Sequence, residues 1–88
     1  MNHSRAACKL VRERVESTLN KGQYPNGITF KVYTVISTYI LGYEKHLIST
    51  DLPDGKYFEV TYNAIENEYY LDEYVRVYNE CIPCKLTE

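Results

Sequence analysis

Along the first twenty residues the apolar side chains return at steps of three and four: Ala7, Leu10, Val11, Val15, Thr18 and Leu19, with Arg5, Lys9, Arg12, Glu13 and Glu16 between them. That spacing lays one apolar stripe along a helix. A helix is therefore predicted over residues 4–20, with Ser4 as its N-cap. Asn20-Lys21-Gly22 supplies a basic last turn and then a residue that tolerates the left-handed conformation, and Gln23 to Gly27 turns the chain.

Beyond this point the pattern changes period. Ile28 to Leu41 is dense in Ile, Val, Thr, Tyr and Phe, which lose side-chain freedom in a helix and fit a pleated sheet, so one long strand is predicted, bent or bulged at its middle. Gly42-Tyr43-Glu44-Lys45 reads as a hairpin loop into a shorter strand from His46 to Thr50, and Asp51-Leu52-Pro53-Asp54-Gly55 is turn chemistry. Lys56 to Asn63 alternates, with Phe58, Val60 and Tyr62 on one side and Tyr57, Glu59 and Thr61 on the other. After Ala64 to Asn67, the apolar residues Tyr69, Leu71, Val75 and Val77 alternate with Glu68, Tyr70, Asp72, Tyr74, Arg76 and Tyr78, and only Glu73 interrupts the apolar side. A helix capped at Asp72, with Leu71, Val75 and Tyr78 inward, is the rival reading of this last stretch.

Every connection is short, and none has the dozen residues that a parallel crossover needs, so the strands must form an antiparallel meander. The predicted fold is α+β: an N-terminal amphipathic helix packed on one face of a four-stranded antiparallel meander sheet, as one domain over residues 1–88. That outline is cystatin-like, and an outline says nothing about activity.

Composition narrows the function classes. A chain of 88 residues with 44% hydrophobic and 25% charged residues is long enough for one core. No apolar run approaches the ~20 residues that span a bilayer, and Met1 to Arg5 leads into Glu13 and Glu16 rather than into an apolar signal core. Cys8, Cys81 and Cys84 are too few and odd in number for a secreted disulfide scaffold. A cytoplasmic protein with no membrane association is expected. The net charge of −2 hides an asymmetry: residues 1–50 hold seven Lys/Arg against three Asp/Glu, and residues 51–88 hold three against nine. Nucleic acid is an unfavourable partner for the acidic half, which leaves Arg5, Lys9, Arg12 and Arg14 on the helix as the alternative, nucleic-acid-binding reading.

Catalytic machinery is hard to assemble from these residues. Cys81-Ile82-Pro83-Cys84 has the spacing of a redox pair or half a zinc site, but the chain stops four residues later, so no helix follows to activate a thiol. Zinc would need Cys8 with His3 or His46 brought to the same place. His3 near the terminus and His46 in a short strand are expected at the surface, and no Ser or Cys has an evident His and carboxylate partner. Carboxylates such as Glu59, Glu66, Glu68, Asp72 and Glu73 are ordinarily solvated on a strand face, and the four glycines sit singly at turns, so no phosphate loop exists. No enzyme activity, metal or cofactor is expected.

Tyrosine placement points instead to binding. If Phe58, Val60, Leu71, Val75 and Val77 face the helix, the opposite face of the last two strands presents Tyr57, Glu59, Tyr70, Asp72, Tyr74, Arg76 and Tyr78. Tyr and Arg often dominate protein interfaces because each joins a large rigid contact area to a polar tip. Cross-strand tyrosines that merely stabilise a one-sided sheet account for the same pattern. Base stacking is disfavoured by Glu59, Glu68 and Asp72 in the same rows. A protein partner, or a second copy of the chain as a homodimer, fits better.

The stretch from Lys31 to Ile82, with His46-Leu47-Ile48-Ser49-Thr50, Asp54 to Asn63, Glu68-Tyr69-Tyr70-Leu71-Asp72, Tyr74 and Asn79, resembles a family of small uncharacterised proteins encoded by phages and prophages of Gram-positive bacteria. The resemblance covers over half the chain and excludes the helix and the Cys-Ile-Pro-Cys tail. It carries no catalytic residues across. It implies a phage accessory protein in a bacterial host, of a kind that works by binding a host or phage protein, for instance as an inhibitor of a nuclease-based defence such as CRISPR.

Overall fold

The computed structural model of the chain describes residues 3–19 and 29–84. One helix, α1 (Ser4–Thr18), precedes four strands, β1 (Val32–Ile40), β2 (Tyr43–Thr50), β3 (Lys56–Asn63) and β4 (Glu68–Val75). The strands pair antiparallel in the order β1-β2-β3-β4, the expected meander. Ala7, Val11 and Val15 on one side of α1 meet Ile48, Phe58 and Val60 on one face of the sheet, with Phe30 beside them and Leu10, Leu19, Val32 and Leu52 packed around the margin. Burying each of the larger of these side chains contributes about 1.5–3 kcal/mol, and this layer is what holds helix to sheet.

Several local features differ from expectation for identifiable reasons. His3, not Ser4, occupies the N-cap position, and its carbonyl accepts the Ala7 N–H of the first turn at 2.9 Å. The predicted Asn20-Lys21-Gly22 helix stop and the turn to Gly27 lie outside the described residues. The expected bulge exists: between β1 and β2 the register shifts from Thr34↔Ile48 to Ile36↔Leu47, leaving Val35 as the extra residue. The following hairpin is tighter than the predicted four-residue loop. Leu41 and Gly42, at φ 47° and 87°, make a two-residue turn of the left-handed kind that matches strand twist, so Tyr43 pairs with Ile40 and Glu44 and Lys45 belong to β2. At the next turn Gly55 has φ 70°, and Asp54 accepts the Lys56 N–H.

The last segment is a strand and not a helix, but it ends at Val75. Its ladder is prolonged by one bond, from the Arg76 N–H to the Gly55 carbonyl, and residues 77–84 then run on as exposed, irregular chain. Leu71 and Val75 do lie on the helix-side face, opposite Val60 and Lys56. They remain 36% and 52% exposed because α1 packs chiefly on β1 and β2, while Val77 lies beyond the strand and is 94% exposed.

Candidate functional site

Because directly paired residues of an antiparallel sheet share a face, the register assigns the outer surface. Tyr57 pairs with Tyr74, Glu59 with Asp72, and Thr61 with Tyr70. Tyr57, Glu59, Tyr70, Asp72 and Tyr74 therefore stand together on the face turned away from α1. Arg76 follows directly after β4, whereas Tyr78, expected in the same row, lies past the end of the strand and is solvent-exposed. Period-two alternation carries a face only as far as the pairing that maintains it.

The Tyr57 and Tyr74 rings stack, with centroids 5.1 Å apart and planes 16° from parallel. Beside them Glu59 and Asp72 face each other across the ladder, an arrangement of like charges that costs stability. Lys45 reaches Glu59 of this pair: its Nζ is 3.2 Å from Glu59 Oε1 and also donates to Thr61 Oγ1. The carboxylates act on the phenols. Tyr74 has its pKa raised by partial burial and then by Asp72 and Glu59, and Tyr70 has its pKa raised chiefly because its hydroxyl donates to Glu68 Oε2 at 2.8 Å. With their pKa values raised, Tyr70 and Tyr74 keep their hydroxyl protons at neutral pH. Along β1 and β2 the same face continues with Tyr33, Ile36, Tyr43 and Leu47, so it grades from apolar at β1 to acidic at β4.

A second constellation was not foreseen. Glu44 and His46, two apart on β2, point to the helix side, and both are buried, His46 completely. Ser37 Oγ lies 2.6 Å from His46 Nδ1, and His46 Nε2 lies 2.7 Å from Glu44 Oε1. The Glu44 carboxylate also accepts from the backbone N–H of His3 and, at 2.9 Å, from its Nδ1. The His3 ring stacks on Tyr62 at 4.0 Å and meets the edge of Tyr69 at 6.0 Å. Both histidines, expected at the surface, are thus held in the interior or against it. Burial pushes the Glu44 carboxyl up, but the hydrogen bonds from His3 and His46 and the attraction of His3 outweigh it, leaving the pKa below its ordinary 4.5.

Ser37, His46 and Glu44 have the connectivity of a nucleophile, base and orienting acid, which the sequence reading did not anticipate. The geometry favours a structural role. The His46 ring is wholly enclosed, its contacts use the nitrogens in the reverse sense to the familiar hydrolase arrangement, and a second histidine shares the carboxylate. The adjoining cleft of ≈ 350 Å³ is bounded by His3, Tyr39, Tyr43, Glu44 and Tyr62, not by Ser37. No buried side-chain polar atom is left without a partner among the described residues, which is what such a network achieves. The signal was available in sequence: Glu44 and His46 share a face once both are in a strand, but the hairpin was predicted two residues too long.

The cysteines are dispersed. Cys8 Sγ sits 3.3 Å from Thr34 Oγ1 under the helix, while Cys81 and Cys84 are exposed in the C-terminal segment. No group of three or more His, Cys, Asp or Glu residues with metal-binding proximity occurs among the described residues. No helix among them is long and apolar enough to cross a membrane. The basic helix residues are partly engaged: Arg14 pairs with Glu73 at 3.1 Å, and Arg12 donates to the Phe30 carbonyl and lies 4.8 Å over its ring. In comparisons with known proteins, the model of a family of unknown function, DUF6275, matches residues 4–84. No curated protein and no solved structure matches the chain.

Proposed function

The chain belongs to the DUF6275 family of unknown function, and from that premise we propose that it is a non-enzymatic binding protein whose outer sheet face docks a protein bearing basic side chains. The observation that carries this reading is the Glu59–Asp72 pair beside the stacked Tyr57 and Tyr74. Two carboxylates opposite one another cost the free protein stability, and a cation from a partner converts that cost into attraction. Flat phenolic rings next to them provide contact area with little side-chain entropy to lose. The resemblance to phage and prophage proteins supplies the context: an accessory protein in the bacterial cytoplasm acting on a host or phage protein. A nuclease of a host defence such as CRISPR is a partner of suitable chemistry, since an acidic face can occupy a channel built for phosphates.

The rival, nucleic-acid binding through α1, is weakened by the engagement of Arg12 and Arg14 described above. The test is affinity capture from a bacterial host lysate with wild type, Tyr70→Ala/Tyr74→Ala and Glu59→Lys/Asp72→Lys. A protein retained by wild type, released by added salt and lost with both variants is the expected result. An unchanged set of captured proteins removes this face from the function.

A further inference from the structure

β1 lies at one edge of the described sheet and β4 at the other, and the two edges are built differently. β4 carries Glu68, Asp72 and Glu73, the kind of charge that keeps an exposed edge from pairing with another chain. β1 carries no charge, no proline and no glycine along nine residues, and its Ile36, Tyr39 and Ile40 are all exposed, Tyr39 by 64%. Its one irregularity, the bulge at Val35, leaves Ile36 to Ile40 as a regular run, in unbroken register with Leu47 to Tyr43. Such a run displays a row of outward backbone groups with nothing in its side chains to deter a partner strand.

We propose that β1 pairs antiparallel with β1 of a second copy of this chain about a two-fold axis at Thr38, joining the two sheets into one of eight strands. Charge selects this occupant and this edge. Joining β4 to its own copy would bring Glu68 and Asp72 of each chain to one seam, Glu73 being paired with Arg14 and Lys56, whereas the β1 seam holds no carboxylate. Pairing centred on Thr38 sets Ile36 opposite Ile40 of the second copy, and Thr38 opposite itself. On the outer face this makes a ladder of β-branched pairs, the side chains that pack best across strands. On the helix side Tyr39 of one copy comes opposite Ser37 of the other, covering the most exposed aromatic of the strand and the open end of the Ser37–His46–Glu44 chain. The two-fold interface is self-complementary, as such dimers require, and it runs the outer faces of the two copies into one surface.

The experiment measures mass in solution by light scattering across a concentration series, for the full chain, Thr38→Lys, Thr38→Glu and an equimolar mixture of the two variants. Wild type is expected to be a dimer. Each single variant, with like charges facing across the axis, is expected to dissociate at least ten-fold more readily, and the mixture is expected to recover dimer as a heterodimer. Amide exchange at residues 36–40 should slow as wild-type concentration rises, a readout that requires no substitution. A monomeric wild type overturns the proposal. So does a dimer indifferent to both substitutions, because association then uses a surface away from Thr38.

Discussion

Replacing Glu44 by Gln keeps the shape of the side chain and removes its charge, and so isolates what the carboxylate contributes to the interior. In the folded protein it accepts from the His3 backbone N–H, His3 Nδ1 and His46 Nε2, while being almost fully buried. A hydrogen bond to a charged group contributes about 1.5–3 kcal/mol net and a neutral one about 0.5–1.5, so two ring contacts losing charge assistance should cost about 2 kcal/mol at pH 7. With a urea slope of about 1–2 kcal/mol per M for a chain of this size, the unfolding midpoint should fall by about 1–2 M. The pH dependence gives a second check. The folded pKa of Glu44 lies below the ordinary 4.5, so its contribution is present above that value and is lost as pH falls through the folded one. Urea titrations from pH 7 down to pH 3 should therefore show the gap between wild type and Glu44→Gln closing below about pH 4.5, because the protonated wild-type side chain becomes nearly isosteric with the amide. A gap that is absent at pH 7, or that persists undiminished at pH 3, refutes the assignment of Glu44 as an ionised hub.

Two further stability measurements follow from the packing. Phe58 is 1% exposed between α1 and the sheet, and Phe58→Ala should cost about 3–5 kcal/mol in a denaturant melt; a cost under about 1 kcal/mol would mean that the helix does not lie where described. The stacked Tyr57 and Tyr74 should show a coupling of about 0.5–1.5 kcal/mol in a double-mutant cycle with Ala, and a coupling near zero would mean that the rings are not held together in solution.

The tyrosine–carboxylate face was legible in the sequence because it rests on strict alternation in β3 and β4, two strands joined by a short turn. Tyr57, Glu59, Tyr70, Asp72 and Tyr74 consequently fall where alternation puts them. Tyr78 does not, since pairing stops at Val75 and no periodicity within the segment announces that stop. The Ser37–His46–Glu44–His3 network was hidden for two reasons. It depends on the length of one hairpin, where Leu41 adopts the left-handed conformation that its residue type disfavours. It also depends on residue 3 folding back onto residue 44, a contact between distant positions with no local signature.

Local pattern was therefore enough to determine the class and order of the elements, the apolar stripe of α1, the meander and the outward row of rings and acids, because each follows from a repeat of 3.6 or 2 residues along a continuous segment. Tertiary structure alone decided which strands the helix covers, where β4 ends, and which ionisable groups meet inside. Those outcomes turn on the relative placement of segments far apart in the chain, and the energy of burying or pairing them exists only once that placement is made.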